Sequence, residues 1–511
     1  MNVLFLNLPN PPGLYVNRDY CGGFGSAFPI RRGDNYTVFP PIFDAYAAAV
    51  LENEGYKVSM IDAQAADTAE PQLLESVENG NPELIVSRIS LPSFESDLKT
   101  IGSLKARLSK VFYAGWGSVC KVEPQATLSK GSLDAVIRDE LEFVISSLTK
   151  AIKNGTDLDE VAGISFKKSG KIVDNPSRPY EMNLDKLPTP AYHLLNMKAY
   201  RASESYFFSG GSKNRSINFF TLLSSRGCNF NCLYCPYPTI FGPWRATSPE
   251  KVVGEMESLV KDHGVRVFWF HDQVFTMIPK RTEKICDEII KAGLDVKWAC
   301  ETHVKRLPGQ LVRKMKRAGC TRVQVGIETG DPQLLANVGK KGCTIQEVEE
   351  AIRQLHGEGI LVEANFMVGL PGENWDTIAA TAKLIRNTKP DDVAISMITP
   401  YPGTPLFALA KEKNLVITED WSRYTTGQPI IAFPSFSGED MREAQRYLYG
   451  VFMYRRRLAE LKETLKERRI QKLAGKLKDD MTEIGVGAFI ITRHGIRTKL
   501  LSKRKSREVQ A

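Results

Sequence analysis

Two separate runs of alternating strand-like and helix-like segments constrain this chain more than any other feature. In the first run NVLFLNLP (2–9), KVSMIDAQ (57–64), ELIVSRIS (83–90), VFYAG (111–115) and LDAVIRD (133–139) read as strands, and a helical IFDAYAAAVLENEG closed by Gly55 separates the first two. Apolar strands divided by helices predict a parallel sheet covered on both faces, the doubly wound Rossmann-like architecture of the α/β class. Ligands of such sheets bind at the carboxyl ends of the strands. No GxGxxG follows the first strand, so a dinucleotide is not the favoured ligand.

The second run starts at SINFFTLLSS (216–225) and continues through VRVFWFHD (265–272), VKWACE (296–301), TRVQVGIE (321–328), ILVEANFMVG (360–369) and DVAISMIT (392–399). Six β/α steps predict a partial (β/α)6 TIM-type barrel with its chemistry at the C-terminal ends of the strands. The expected division is a wound domain over 1–150, an ordered linker or bridging segment over 151–215, the barrel over 216–410, and a mainly α-helical, basic C-terminal region over 411–511. Within the last, a long helix capped by Ser437 is expected from Gly438 to about Leu477.

Of the 511 residues, 42% are hydrophobic and 25% charged, the proportions of a globular protein rather than a disordered or collagen-like chain. The net charge of +9 is uneven: residues 451–511 carry 17 Lys+Arg against 7 Asp+Glu, so the rest is close to neutral. A basic tail suits an anionic surface such as a membrane face, or else is a solvated helical face. IGVGAFII (484–491) is too short to cross a bilayer but could dip into its interface. Nine scattered cysteines, and a start that reads as a strand rather than a signal peptide, place the chain in the reducing cytoplasm, with peripheral contact at the inner membrane face as a further expectation.

One tight group breaks that scatter. RGCNFNCLYCPYP sets Cys228, Cys232 and Cys235 in CxxxCxxC spacing directly after the first barrel strand. A structural zinc site usually has four closed ligands, often as CxxC pairs, and no second pair or nearby histidine accompanies these three. Three thiolates instead fit a [4Fe–4S] cluster with one iron left free for another ligand. Zinc and purely structural cysteines are the alternatives.

At these residues the sequence resembles the radical S-adenosylmethionine (SAM) superfamily, and in particular its class with an N-terminal cobalamin-binding domain. Tyr234 matches the aromatic residue before the last cysteine; FWFHDQVF, VQVGIETGDPQLL, FMVGLPGE and YPGTPL also look like that class. The resemblance implies that the cluster binds SAM and cleaves it to a 5′-deoxyadenosyl radical, with an external one-electron donor of flavodoxin or ferredoxin type. It further implies that Tyr234 offers its backbone to adenine, that Glu328 bonds the SAM ribose or amine, that Asp272 lies where the family contacts the methionine amine, and that Asn365 and the GLPGE turn (369–373) bound the adenine or ribose pocket. HDQ stands in place of the GGE found in other branches. His271, Trp269, Trp298, Glu301 and His303 are candidates for the substrate cavity.

The DxHxxG motif that donates a histidine to cobalt is missing, and the first histidine of the chain is His193. If cobalamin binds, no imidazole from the wound domain lies beneath the metal. Asp62, Ser90, Gly115, Gly117 and Glu140 are the positional candidates for contacting cobalamin. The reading that follows is a cobalamin-dependent radical SAM methyltransferase acting on an unactivated carbon of a small-molecule, lipid or natural-product substrate. A radical SAM cyclase, oxidase or coupling enzyme without methyl transfer is the second reading. A nucleic-acid or membrane-binding factor with a structural cluster is the third, and no appended RNA-binding domain supports a nucleic-acid partner.

Overall fold

The computed structural model describes residues 1–30, 36–209, 215–340 and 343–466, with side chains described through Arg456. The stretch 484–491, the basic tail and most of the Gly-Gly-Ser patch lie outside the described residues.

The first run forms the expected wound sheet. Its strands are β1 (Asn2–Asn7), β2 (Lys57–Asp62), β3 (Leu84–Arg88), β4 (Phe112–Trp116) and β5 (Ala135–Ile137), all parallel and ordered β2-β1-β3-β4-β5. Val3, Leu4, Phe5 and Leu6 in the centre are each at most 3% exposed, as a strand covered on both faces requires. The order reverses between β1 and β3, which makes that crevice the topological switch point.

The sheet does not stop at residue 150. A hairpin of β6 (Ile164–Lys168) and β7 (Lys171–Asp174) adds two antiparallel strands beyond β5. Ser169 and Gly170 turn it with positive φ at both positions, the geometry that suits a two-residue hairpin. The first part of the expected linker is therefore the edge of the wound domain.

The second run forms a six-stranded parallel sheet in sequence order: β8 (Phe220–Leu222), β9 (Val267–Phe270), β10 (Lys297–Thr302), β11 (Cys320–Glu328), β12 (Leu361–Val368) and β13 (Asp392–Met397). The C-terminal helix Gly438–Lys466 covers the β13 side. Met441, Ala444, Leu448, Val451 and Phe452 are each at most 3% exposed, and Gln445 Nε2 donates to the Ile395 carbonyl at 2.6 Å. Ser437 caps this helix as expected, exchanging bonds with Asp440 through backbone and side chain. Residues 413–437, by contrast, hold one short 3-10 turn and no α-helix, because the prolines and turn residues there break helical periodicity.

The two sheets present their carboxyl ends to one another. The long connection after β1 crosses between them: Phe24 stacks on Tyr401 at 5.0 Å, Phe39 meets Phe219 edge-on at 5.4 Å, and Phe43 stacks on Phe241 at 5.8 Å. Arg18 anchors this connection through a forked pair to Asp97 at 2.8 and 2.9 Å, with Ser90 and Ser93 alongside. Both partners are fully inside the protein. Replacing Asp97 with Ala leaves the guanidinium buried and uncompensated, at a cost of about 3–5 kcal/mol. The expected result is a clear drop in the first urea midpoint followed by far-UV circular dichroism; an unchanged midpoint contradicts this account of the anchor.

Candidate active site

The cysteine loop leaves β8 and is tied at several points. Gly227 has φ +74, and a Cβ there would fall 2.1 Å from the Pro243 carbonyl oxygen. Cys228 N donates to the Gly242 carbonyl at 3.1 Å, Leu233 N to that of Val338 at 2.9 Å, and Leu406 N to that of Leu233 at 3.0 Å. The loop is thus held by its own return, by the segment after β11 and by the segment after β13.

All three thiols are free. Burial, above all, raises the pKa of each, with Cys232 pushed up to about 11. Cys235 also feels the charges of Cys232 and Cys228, so the three lie within electrostatic reach of each other. Among the described residues no three His, Cys, Asp or Glu side chains close on a single ion. Three thiols on one pinned loop, without carboxylate or imidazole between them, are the donor set of an iron–sulfur cluster.

Glu328 ends β11 at φ +69 beside a break in the strand register. A glutamate in the left-handed region carries strain that the surroundings must hold, a common mark of functional sites. It is buried against Lys340, whose ammonium also donates to the Gly326 carbonyl at 2.6 Å. The Tyr234 phenol faces the same carboxylate; burial first, then the Glu328 charge, pushes its pKa up. Asn365 pairs in register with Gly326, and its buried Oδ1 has no partner, which leaves an acceptor open to a ligand. Tyr234 and Glu328 thus lie together beside the cysteines, and Asn365 lies on the neighbouring strand next to Gly326. Lys340 was not anticipated, since NVGKKG reads as a solvated loop.

Asp272 departs from expectation. Its carboxylate accepts from Ser224 N at 3.1 Å, Ser224 Oγ at 2.8 Å and the Ser225 hydroxyl, with the Arg281 charge nearby. It braces the strand leading into the cysteines. His303 stacks on Phe230 of the cysteine loop at 4.8 Å and its buried Nε2 has no partner, whereas Trp298 lies within the core and donates to the Ala318 carbonyl at 2.7 Å.

The inner face of the barrel is a polar chamber. Register aligns Glu301, Gln324 and Glu363 in one row, and Gly326, Asn365 and Ala394 in the row above. Glu363 pairs with Arg322 at 3.3 Å and Gln324 donates to the Tyr206 hydroxyl at 2.8 Å. Glu301 has only Gln273, at 3.5 Å. Burial, then the Glu363 and Asp272 charges, pushes it up to about 8. Its charge in turn acts on Tyr20 in the connection after β1, on Tyr206, and on Tyr237 beside the cysteines. Phe39 lies 6.1 Å from His271 over this space.

On the wound domain the expected residues fall into two groups. Asp62 accepts from Asn7, Ala65 N and Tyr200, and Ser90 accepts from Arg18, so both are committed inside the protein. Gly115 packs where a Cβ would lie 2.8 Å from Leu133. Gly117, at φ +126, touches the Ile89 carbonyl too closely for any Cβ and lines a cleft with Trp116, Ser118, Arg88, Phe43 and Phe241. Glu140 also edges that cleft, but its carboxylate is paired with Arg226 and Arg245 of the barrel.

Residues 222–385 match the family model of the radical SAM superfamily. An uncharacterized methyltransferase of Pyrococcus horikoshii is 31% identical over 82% of this chain and 89% of its own length. The chain belongs to the radical SAM superfamily. It is an enzyme of that superfamily, with a [4Fe–4S] cluster and SAM as cofactors, and it needs a reductant. An anaerobic magnesium-protoporphyrin IX monomethyl ester cyclase of Rubrivivax gelatinosus is 29% identical over 86% of this chain and 78% of that one. In fold the chain is similar to the cobalamin-dependent radical SAM enzyme OxsB (TM-score 0.71, 17% identity, 96% of this chain and 72% of that one). It is also similar to the radical SAM methyltransferase TsrM of Kitasatospora setae (TM-score 0.63, 18% identity, 84% and 80%).

The raised Glu301 gives a pH test. The native carboxyl keeps its proton to about 8, whereas the unfolded one loses it near its ordinary value of 4.5. Between those values the native state holds more protons, so this group lowers stability as pH rises and its penalty is constant above the upper value. Glu301→Gln removes the penalty. The melting temperature of the variant minus that of the parent should grow from about pH 5 to about pH 8 and then level off; a difference independent of pH contradicts the burial argument.

Proposed function

We propose that the protein is a cobalamin-dependent radical SAM methyltransferase acting on an unactivated carbon of a small molecule. The observation that carries this reading is the facing of two sets of strand ends across one chamber, with the cysteine loop on one side and the Gly117 cleft on the other. The methyltransferase name of the Pyrococcus relative and the cobalamin named for OxsB and TsrM support it. When bound, the cluster and SAM supply a 5′-deoxyadenosyl radical for hydrogen abstraction, and cobalamin supplies the methyl group.

The chain's own residues divide the remaining work. Cys228, Cys232 and Cys235 hold the cluster. Tyr234, Glu328 and Asn365 bound the SAM site, with Lys340 balancing the Glu328 charge. Gly117, Ser118 and Trp116 bound the cobalamin site at the end of β4. No histidine precedes His193, so the wound domain would offer a bound cobalamin no imidazole ligand. Tyr20 and Phe39, whose rings meet at 5.9 Å, border the barrel's inner face from the connection after β1, with Phe39 beside His271. Glu301 holds a proton in the chamber and offers it to a polar group of the substrate.

Anaerobic reconstitution with iron, sulfide and hydroxocobalamin tests the reading. About four irons and one cobalt per chain are expected, with S-adenosylhomocysteine and 5′-deoxyadenosine both released on turnover. 5′-Deoxyadenosine without S-adenosylhomocysteine rejects methyl transfer and favours the cyclase-type outcome that the Rubrivivax relative is named for.

We also propose that a flavodoxin or ferredoxin delivers the electron and that the basic tail docks the enzyme on an anionic membrane face. No helix among the described residues is long and apolar enough to cross a membrane. A cut near Pro434 would strip the C-terminal helix from the barrel, so the informative truncation follows Lys466. The shortened protein should lose pelleting with phosphatidylglycerol vesicles and keep its iron; continued pelleting rejects the docking role.

A further inference from the structure

The segment leading into the cysteines does not rest on the barrel alone. Ser225–Arg226 pairs antiparallel with Arg245–Ala246, in register Arg226 with Arg245. The whole cysteine loop leaves and returns through this two-residue ribbon. Gly227 then packs directly on Pro243, and Cys228 N bonds the Gly242 carbonyl, so a displacement of the ribbon reaches the first cluster ligand through backbone contacts.

Both ribbon arginines extend into the wound domain. Arg226 meets Glu142 at 2.6 Å and Glu140 at 3.3 Å; Arg245 meets the two Glu140 oxygens at 2.8 and 3.1 Å. The four side chains are between 0% and 8% exposed. Arg226 also lies over the Phe43 and Tyr46 rings, and Arg245 over that of Tyr180. The glutamates flank the start of the helix Leu141–Asn154, where the helix dipole favours negative charge. A buried ion network of this size gives little net stability over an apolar substitute, because desolvation offsets the attraction. What it fixes is geometry and charge balance.

We propose that Glu140, with Glu142, Arg226 and Arg245, is a clamp through which the N-terminal domain positions the cluster loop and neutralises two guanidiniums beside it. These are positioning residues for the cluster; none of them ligates it. The proposal rests on the cluster assigned by the superfamily and is independent of whether cobalamin binds. Removing the Glu140 charge leaves positive charge unbalanced near the cluster, which favours its reduced form. Cluster potentials follow nearby charge in this way.

The test uses the full-length reconstituted protein without cobalamin. Glu140→Gln should retain iron and sulfide, shift the cluster midpoint potential in a positive direction in an EPR-monitored redox titration, and alter the g-values of the reduced cluster. Adding Arg245→Gln to that variant should bring the potential back towards the parent value, whereas the exposed control Glu78→Gln should leave it unmoved. An unchanged potential and spectrum at full iron content overturns the proposal, and so does a shift that the second substitution fails to reverse. If Glu140→Gln fails to take up iron, Arg245→Lys, which keeps the charge and loses the fork, decides the matter by hydrogen exchange in the apo protein. Faster exchange across 227–244 than in the parent supports the clamp, and unchanged exchange overturns it.

Discussion

The structure depends on a rule of parallel sheets: each strand must be followed by a crossover, so all the loops that can carry chemistry gather at the carboxyl end. This chain builds two such sheets and turns those ends towards each other. A single apolar core runs through both, from Val3 and Phe5 in the wound domain to Phe220, Phe268 and Met441 around the barrel. Because the core is continuous, the space between the sheets is enclosed by protein on both sides. The cysteine loop, Glu328 and Gly117 lie at its border because they lie at strand ends, and Asn365 faces the same side from within β12.

Enclosure makes every charge in that space matter, since an unpaired buried ion is costly. Glu328 has Lys340, Glu363 has Arg322, and Asp272 has two serines with Arg281 close by. On the wound side Arg18 has Asp97, and Arg88 has Asp19 at 2.6 Å. Most polar residues at these strand ends are thus spent on holding loops in place. Residues with capacity left over include the Asn365 oxygen, His303 Nε2 and Glu373 Oε1, all buried without a partner, and Glu301 with one long contact.

Legibility in the sequence followed the range of the interaction. Strands, helices and the cysteine loop were readable because period and spacing are local. The β6–β7 hairpin falls within the segment read as a linker, because nothing within it tells whether it pairs with β5. Asp62, Ser90 and Asp272 were correctly placed at strand ends, but their inward partners Tyr200, Arg18 and Ser224 lie 48 to 138 positions away. Glu140 shows the same limit: its arginines lie 86 and 105 positions along, so a clamp between domains read as a ligand contact. Lys340 was missed because two lysines beside a glycine look like a surface loop until Glu328 is folded against one of them.

Residues 1–450 come out close to neutral, although the chain carries +9 overall, and the buried charges among them are paired only in part. Among the described residues Glu255 and Glu373 have no cation at ion-pair distance, and burial pushes them up to about 7 and about 8. Glu301 fits the same logic. A carboxyl without a cationic partner can remain in a dry chamber only by keeping its proton, and a raised pKa is how that appears. Gln273, at 3.5 Å, is the one side chain that reaches the Glu301 carboxyl among the described residues, so no cation stands by to hold it ionised.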